Sequence, residues 1–323
     1  TNRAAQRLYA VAQLHLSKNA EALSTLQSLA KDAPQDDEIL TLTASAAART
    51  GDLKMASDYY QKAVETKPGN KTARLGLSAM KIATGNRGEA IEDLERAVEN
   101  APDFIKGLYA LLVLHMRDGA FDKALEVTKK LRDAEPDSPN PSIAEGLVHT
   151  GKQDWKEALS AFNRAREMAP DHIGAAYGAA DAYFRMGDID GTRKIYDDIL
   201  KTKPDHIPTL MRYVGLTRQL GQIEESNKYV DRAVAADPKA VGPRLIAAQT
   251  LVENNQPLKA LSILQDVAND NVNHPELLLV MGRAQLAAGK SGQATNTLER
   301  LVRVQPGSPG AHFLLAQAYA QLD

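Results

Sequence analysis

The 323-residue sequence contains no cysteine. Disulfides, thiolate metal sites and cysteine nucleophiles are therefore excluded, and the compartment stays open. Aromatic residues are scarce, at 5%. Neither sign of charge dominates: 39 Lys and Arg stand against 41 Asp and Glu. That balance argues against a nucleic-acid binder, which needs a basic face or a basic excess. The longest basic cluster, "KKLR" at 129–132, falls on an expected helix and reads as a solvated face. No apolar run reaches the ~18 residues that a membrane span requires. No signal peptide is visible. The chain opens at Thr1 without Met and reads as helix by Ala4, so it looks like a piece of a longer protein. A missing signal then says nothing about the parent.

What is present is ordinary in composition, 43% hydrophobic and 25% charged, in a chain long for one compact core. The expectation is several domains or a repeat array. Prolines decide for the array. They fall at Pro34, Pro68, Pro102, Pro136, Pro170, Pro204, Pro238 and Pro306, steps of 34 residues that skip only Val272. Twelve residues before each of these positions lies a small residue: Ala22, Ala56, Ala90, Ala124, Ala158, Thr192, Ser226, Ala260 and Ala294. Glycines recur at Gly51, Gly85, Gly119, Gly187, Gly221 and Gly289.

Each recurrence has a physical reason. Apolar stripes at i, i+3, i+4, i+7, as in "ALEVTKKL" (124–131), give two helices per unit. The glycine permits the left-handed backbone that ends the first helix. The small residue lets two backbones approach. The proline ends the second helix, because it lacks an N–H and clashes with the preceding turn. One such pair cannot bury its apolar face alone, so neighbours must stack.

The 34-residue unit with these markers resembles the tetratricopeptide repeat. "WKEALSAFNRAREMAPD" (155–171) carries the likeness best, with Ala158, Phe162, Ala165 and Pro170 at the family's packing and stop positions. The resemblance implies an all-α superhelical solenoid: a single domain of nine repeats starting at 3, 37, 71, 105, 139, 173, 207, 241 and 275. One further helix follows in a partial unit, 309–323. Leu112 and Val214 stand where the family favours a small residue, which suggests altered packing. The last stretch keeps Phe313, Leu314, Leu315, Ala318 and Tyr319 apolar where an array normally closes with a polar cap, so the parent array is expected to continue past Asp323.

No motif carries chemistry, and no catalytic residue, cofactor or metal is expected. His172, His206 and His274 recur in the turn between units, about one repeat apart and too far to share a metal. "SLAK" (28–31) and "SAMK" (78–81) sit in ordinary repeat helices without partner motifs. "GAAYG" (174–178) reads as tight packing. "NKT" (70–72) is a glycosylation sequon only in a secreted eukaryotic setting.

Function is therefore expected at a surface. The resemblance implies that first helices line a concave groove, with positions 2, 5, 9, 12 and 13 facing inward. The candidates there are Arg7, Thr41, Ser45, Arg49, Leu75, Tyr109, Val113, Arg117, Tyr177, Asp181, Arg185, Met211, Arg218, Gln249 and Arg283. Met116, Phe184, Leu245 and Leu279 share that side. Aromatic and apolar residues with Arg at intervals suit an extended peptide or a partner helix. Neither the Lys/Asn clamp of chaperone-tail binders nor the asparagine ladder of the sugar-transferase superhelix occurs.

The C-terminal strings "GRAQLAAGKSGQA" and "PGSPGAHFLLAQA" look like the tetratricopeptide lipoproteins of bacterial exopolysaccharide and PEP-CTERM systems. That likeness implies a non-enzymatic periplasmic scaffold, lipid-anchored at the outer membrane, that holds exopolysaccharide assembly or export components. The alternatives are a cytoplasmic peptide-binding adaptor, the regulatory arm of an enzyme, or a groove that binds glycan directly. At "NDNVNHPE" (269–276) the 34-residue spacing runs on without insertion. Pro275 is expected to open the next helix, with Asn273 as its cap, and Asn255 to replace the mid-turn glycine, so no hinge is expected there.

Overall fold

The computed structural model describes residues 3–322; the expected partial unit's last residue, Asp323, lies outside them. Among the described residues all regular structure is helical. The chain divides into two compact units, the first ending at Gly187 and the second beginning at Asp188. The first unit holds α1 (Arg3–His15), α2 (Asn19–Asp32), α3 (Asp37–Arg49), α4 (Leu53–Thr66), α5 (Lys71–Ala83), α6 (Arg87–Asn100), α7 (Ile105–Arg117), α8 (Phe121–Ala134), α9 (Asn140–Lys152), α10 (Trp155–Met168) and α11 (Ile173–Arg185). The second holds α12 (Ile189–Thr202), α13 (Ile207–Gln219), α14 (Ile223–Ala236), α15 (Val241–Glu253), α16 (Pro257–Ala268), α17 (Pro275–Ala287), α18 (Ser291–Val304) and α19 (Pro309–Ala320). Odd-numbered helices are the first helices of the expected repeats and begin where the 34-residue spacing puts them. The exception is α9, where Pro139 stands just outside as the cap.

The turns explain the spacing. All nine mid-turn positions have a positive φ. Six are the expected glycines, and the others are Ser17 (φ 60), Gln153 (φ 64) and Asn255 (φ 58). Second helices stop two residues before each phase proline. The residue between is pushed out of the helical region by the proline ring: Ala33 has φ −138 and ψ 67, and Lys67 has φ −139 and ψ 93. Its N–H still bonds the carbonyl four residues back, as Ala33 does to Leu29 at 2.9 Å.

Within each unit a second helix packs on its own first helix and on the next first helix. First helices also touch one another, α1 with α3, α3 with α5, α5 with α7, α9 with α11, α15 with α17 and α17 with α19. The nine small residues of the second helices, from Ala22 to Ala294, are fully buried. A larger side chain there would overpack the contact, at a cost of about 1–3 kcal/mol. Leu112 and Val214 are buried too, so the larger residues are absorbed by local packing. "GAAYG" is tight packing, as expected: a Cβ on Gly178 would stand 2.5 Å from the Phe162 ring.

The skipped proline has a local consequence. α16 has 12 residues, whereas every other second helix has 14. Asn271 is in the place of Ala33, but its N–H reaches only Ala268 O, at 3.3 Å. Its side-chain Nδ2 instead donates to Val267 O at 2.9 Å, the carbonyl that takes a main-chain N–H elsewhere. Pro275 opens α17 as expected. Asn273 is not the cap: His274 is, its Nδ1 accepting from Leu277 N at 3.3 Å. The cap falls one residue later because the spacing fixes it, Asp36 and Asn70 capping α3 and α5 at the same phase.

Candidate interaction surface

The exposed side of the first helices is held in place by links between neighbours. In the first unit Arg7 pairs with Glu38 across α1 and α3. Arg49 Nη1 donates to Leu14 O at 2.9 Å, tying the same helices at the other end. Thr41 is buried. Its hydroxyl donates to Asp37 O at 2.6 Å and accepts from Asn70 Nδ2 at 3.0 Å. Ser45 hydrogen-bonds Tyr60, whose hydroxyl pKa is pushed up by burial against that bond. Leu75 packs partly buried against the core around Leu108, as does Met116. These candidates serve the stacking first: Arg7 is paired with a neighbour's carboxylate, and Arg49 commits Nη1 to a neighbour's carbonyl.

Tyr109 donates to Glu135 Oε2 at 2.9 Å. Burial and then the Glu135 carboxylate raise its pKa, so it remains a neutral donor. Arg185 lies 5.6 Å from the centre of the Trp155 ring, a cation–π distance. Tyr177 and Phe184 are half-buried and Asp181 is exposed. In the second unit Met211, Gln249 and Leu279 are half-buried, Leu245 is buried and Arg283 is exposed. Arg218 donates to Thr250 on α15. Thus the structure brings Arg7, Thr41, Ser45 and Arg49 together around α3, and leaves Val113, Arg117 and Arg283 facing solvent.

Val113 is 62% exposed. The sequence reading missed its counterpart. Leu147, at the same ninth position one repeat later, is 48% exposed. Extending the position count to the repeat at 139 would have found it. Val113 on α7 and Leu147 on α9 are thus two exposed apolar residues at one phase of consecutive repeats, with Tyr109 a turn before Val113 and Arg117 a turn after it on α7.

The recurring histidines stand at helix N-cap positions. His172 Nδ1 accepts from Ala175 N at 3.0 Å; His206 holds the N-cap position of α13 without a side-chain bond to a helix N–H, its Nδ1 lying 2.8 Å from Thr209 Oγ1. Among the described residues no group of three or more His, Asp or Glu is arranged to hold a metal. No helix among them is long and apolar enough to cross a membrane.

Family models described as tetratricopeptide repeat match residues 10–71, 81–139 and 149–212, together more than half of the chain. The chain is a tetratricopeptide repeat protein. A model described as anaphase-promoting complex, cyclosome, subunit 3 matches residues 219–301 of this tetratricopeptide chain. Among solved structures it is similar to the C-terminal part of a repeat-containing protein from Cytophaga hutchinsonii. The identity is 13%, covering 73% of this chain and 97% of that one, with a TM-score of 0.59. It is also similar to a tetratricopeptide repeat protein from Parabacteroides merdae. There the identity is 17%, covering 88% of this chain and 99% of that one, with a TM-score of 0.49. The first of these supports the fold alone. No curated protein matches the chain. Tetratricopeptide repeats indicate a protein–protein interaction scaffold.

Proposed function

We propose that this tetratricopeptide protein is a non-enzymatic scaffold that holds an extended peptide or partner helix along the first helices of its first unit. The observation that carries this reading is the exposed pair Val113 and Leu147, two apolar residues at one phase of consecutive repeats. Apolar anchors at repeat spacing match the way a groove takes side chains from an extended or helical ligand. Arg117 at the edge suits a carboxylate on that ligand. The test is capture of a partner from the native host by wild type and by a Val113→Glu/Leu147→Glu variant. A partner retained at wild-type level by the double variant would overturn the assignment of this surface.

The setting we propose is the bacterial envelope, with the protein as a periplasmic, lipid-anchored part of an exopolysaccharide or PEP-CTERM assembly. Its support is the likeness of "GRAQLAAGKSGQA" and "PGSPGAHFLLAQA" to lipoproteins of those systems. The absence of cysteine from 323 residues is compatible with an oxidising compartment. Protease protection in intact cells and its loss in spheroplasts would support the periplasm. Protection in both would favour a cytoplasmic adaptor or an enzyme's regulatory arm.

A further inference from the structure

We propose a second binding site in this chain, for an extended acidic peptide segment, in the cleft between α16 and α18 over the floor of α17. A cavity of about 480 Å³ lies there, bordered by the end of the shortened α16 and its rebuilt turn. A volume of that order holds a few residues of extended chain. Leu277, Leu278 and Met281 of α17 form an apolar floor. These residues lie on a different side of α17 from Leu279 and Arg283, so the site is separate from the first-helix surface.

Three observations select the occupant. First, Gln285 lines the cavity, is 7% exposed, and its Oε1 has no hydrogen-bond partner. A buried amide oxygen without a donor is costly to leave, and a ligand N–H would satisfy it. Second, Gln265, Asn269 and Gln293 stand around the same cavity. A carboxamide offers one acceptor and a donor in one plane, the complement of a peptide group. Third, Lys290 and Arg300 border the cavity, and neither a carboxylate nor an aromatic ring is among its lining residues. Two cations without a counter-charge suit an acidic side chain. The lack of a ring removes the stacking surface that a sugar face would use. Arg300 already donates to Val272 O, which holds its guanidinium at the edge.

The neighbouring cleft over α15 shows what distinguishes this one. It measures about 290 Å³ and is lined by Val230, Val234 and Leu251 together with Asp231. It follows a second helix of full length, α14. The cavity between α12 and α14 is larger, about 570 Å³, but Asp190, Asp197 and Asp198 line it beside its cations; the cleft beside α17 differs from both in having cations and no carboxylate.

The test uses the whole chain and three capped pentapeptides, each with four alanines around a central glutamate, glutamine or lysine, plus glucuronate as an anionic sugar. Binding is read from the side-chain amide signals of Gln285 and Gln293 by NMR. The glutamate peptide is expected to shift them saturably, with the glutamine peptide about ten-fold weaker and the lysine peptide weaker still. Gln285→Leu, which keeps the size, should weaken the glutamate peptide about ten-fold with melting temperature preserved. Lys290→Glu, on the exposed edge, should do so without touching the core. Affinity unchanged in both variants, no saturation by about 10 mM peptide, or glucuronate binding as tightly as the peptide would each overturn the proposal. These probes leave Val113 and Leu147 untouched, so failure here is distinct from failure of the first-helix reading.

Discussion

The packing around α10 and the packing around α17 share one 34-residue spacing, yet one is filled and the other is left open. At α10, Phe162 is 2% exposed and enters a gap made by two glycines. A Cβ on Gly146 would stand 2.7 Å from its ring, and one on Gly178 2.5 Å. Tyr60 meets Gly76 in the same way, sixteen residues on in sequence. At α17, Leu298 meets Gly282, but the other side of the helix opens on a polar cavity with an unpaired Gln285 Oε1. The difference teaches that the spacing sets only where helices begin and turn. What fills the space between them is decided by pairs of residues at fixed offsets, and a repeat can be emptied without losing register.

The largest expected effect lies on the filled side. Gly178→Leu should destabilise the first unit by about 3 kcal/mol, since the ring cannot give way without displacing two backbones. Combining it with Phe162→Leu should recover more than half of that loss, measured by urea denaturation. Simple additivity of the two changes would show that ring and glycine are not a matched pair. On the open side Gln285→Leu should do the reverse, leaving stability unchanged or raising it by about 1 kcal/mol, because an unsatisfied buried oxygen is removed. A loss of several kcal/mol would mean that Gln285 is a structural strut and not a residue held for a ligand.

A smaller effect is expected at the turn that separates the two cases. Asn271→Ala removes the side-chain bond to Val267 O and should cost about 1 kcal/mol. Alanine at Ala33, which occupies the same phase, gives up nothing comparable, because its main-chain N–H already makes that bond. Hydrogen exchange should show the last turn of α16 opening more readily in the variant, with α2 unaffected. Equal protection in wild type and variant would mean that the rebuilt turn does not depend on Asn271.

Most of the fold was legible because its turns use residues with one strong backbone consequence. Proline forbids helix continuation, and glycine tolerates positive φ, so every helix pair could be placed from the sequence. Asn255 was legible for the same reason. Ser17 and Gln153 were not, since neither residue favours the left-handed region and both adopt it only because the stacked helices require it. The cap of α17 was misread because Asn273 has the better capping propensity, while the spacing had already assigned that place to His274. The candidate surface was less legible still. Arg7 and Arg49 look like ligand-seeking cations in sequence, yet both are spent on Glu38 and Leu14 of adjacent first helices. A helical wheel shows which way a residue points and not what a neighbouring repeat offers it. The cavity beside α17 could not be read from sequence at all, because it depends on how side chains of α16, α17 and α18 leave space between them.

The smallest effect is one of pH, and it can tell the units apart. His115, on α7, is buried, and burial holds its pKa below the usual histidine value; Lys123 acts in the same direction. Glu95, with Oε1 3.6 Å from Nε2, opposes the shift, as do Asp118 and Glu126, but burial outweighs them. His206, in the second unit, is lowered by burial and by Lys203. For both groups the fold favours the neutral imidazole. The stability each contributes is complete above the unfolded value of about 6.5 and is lost as pH falls through the lower folded value. Melting temperature should therefore drop between about pH 7.5 and pH 5. His115→Gln should flatten that drop for the first unit, and His206→Asn, a residue suited to the N-cap position, for the second. If His115→Gln instead leaves the acid sensitivity of the first unit intact, the Glu95 contact must compensate burial there, and the buried imidazole would have to be charged in the folded chain.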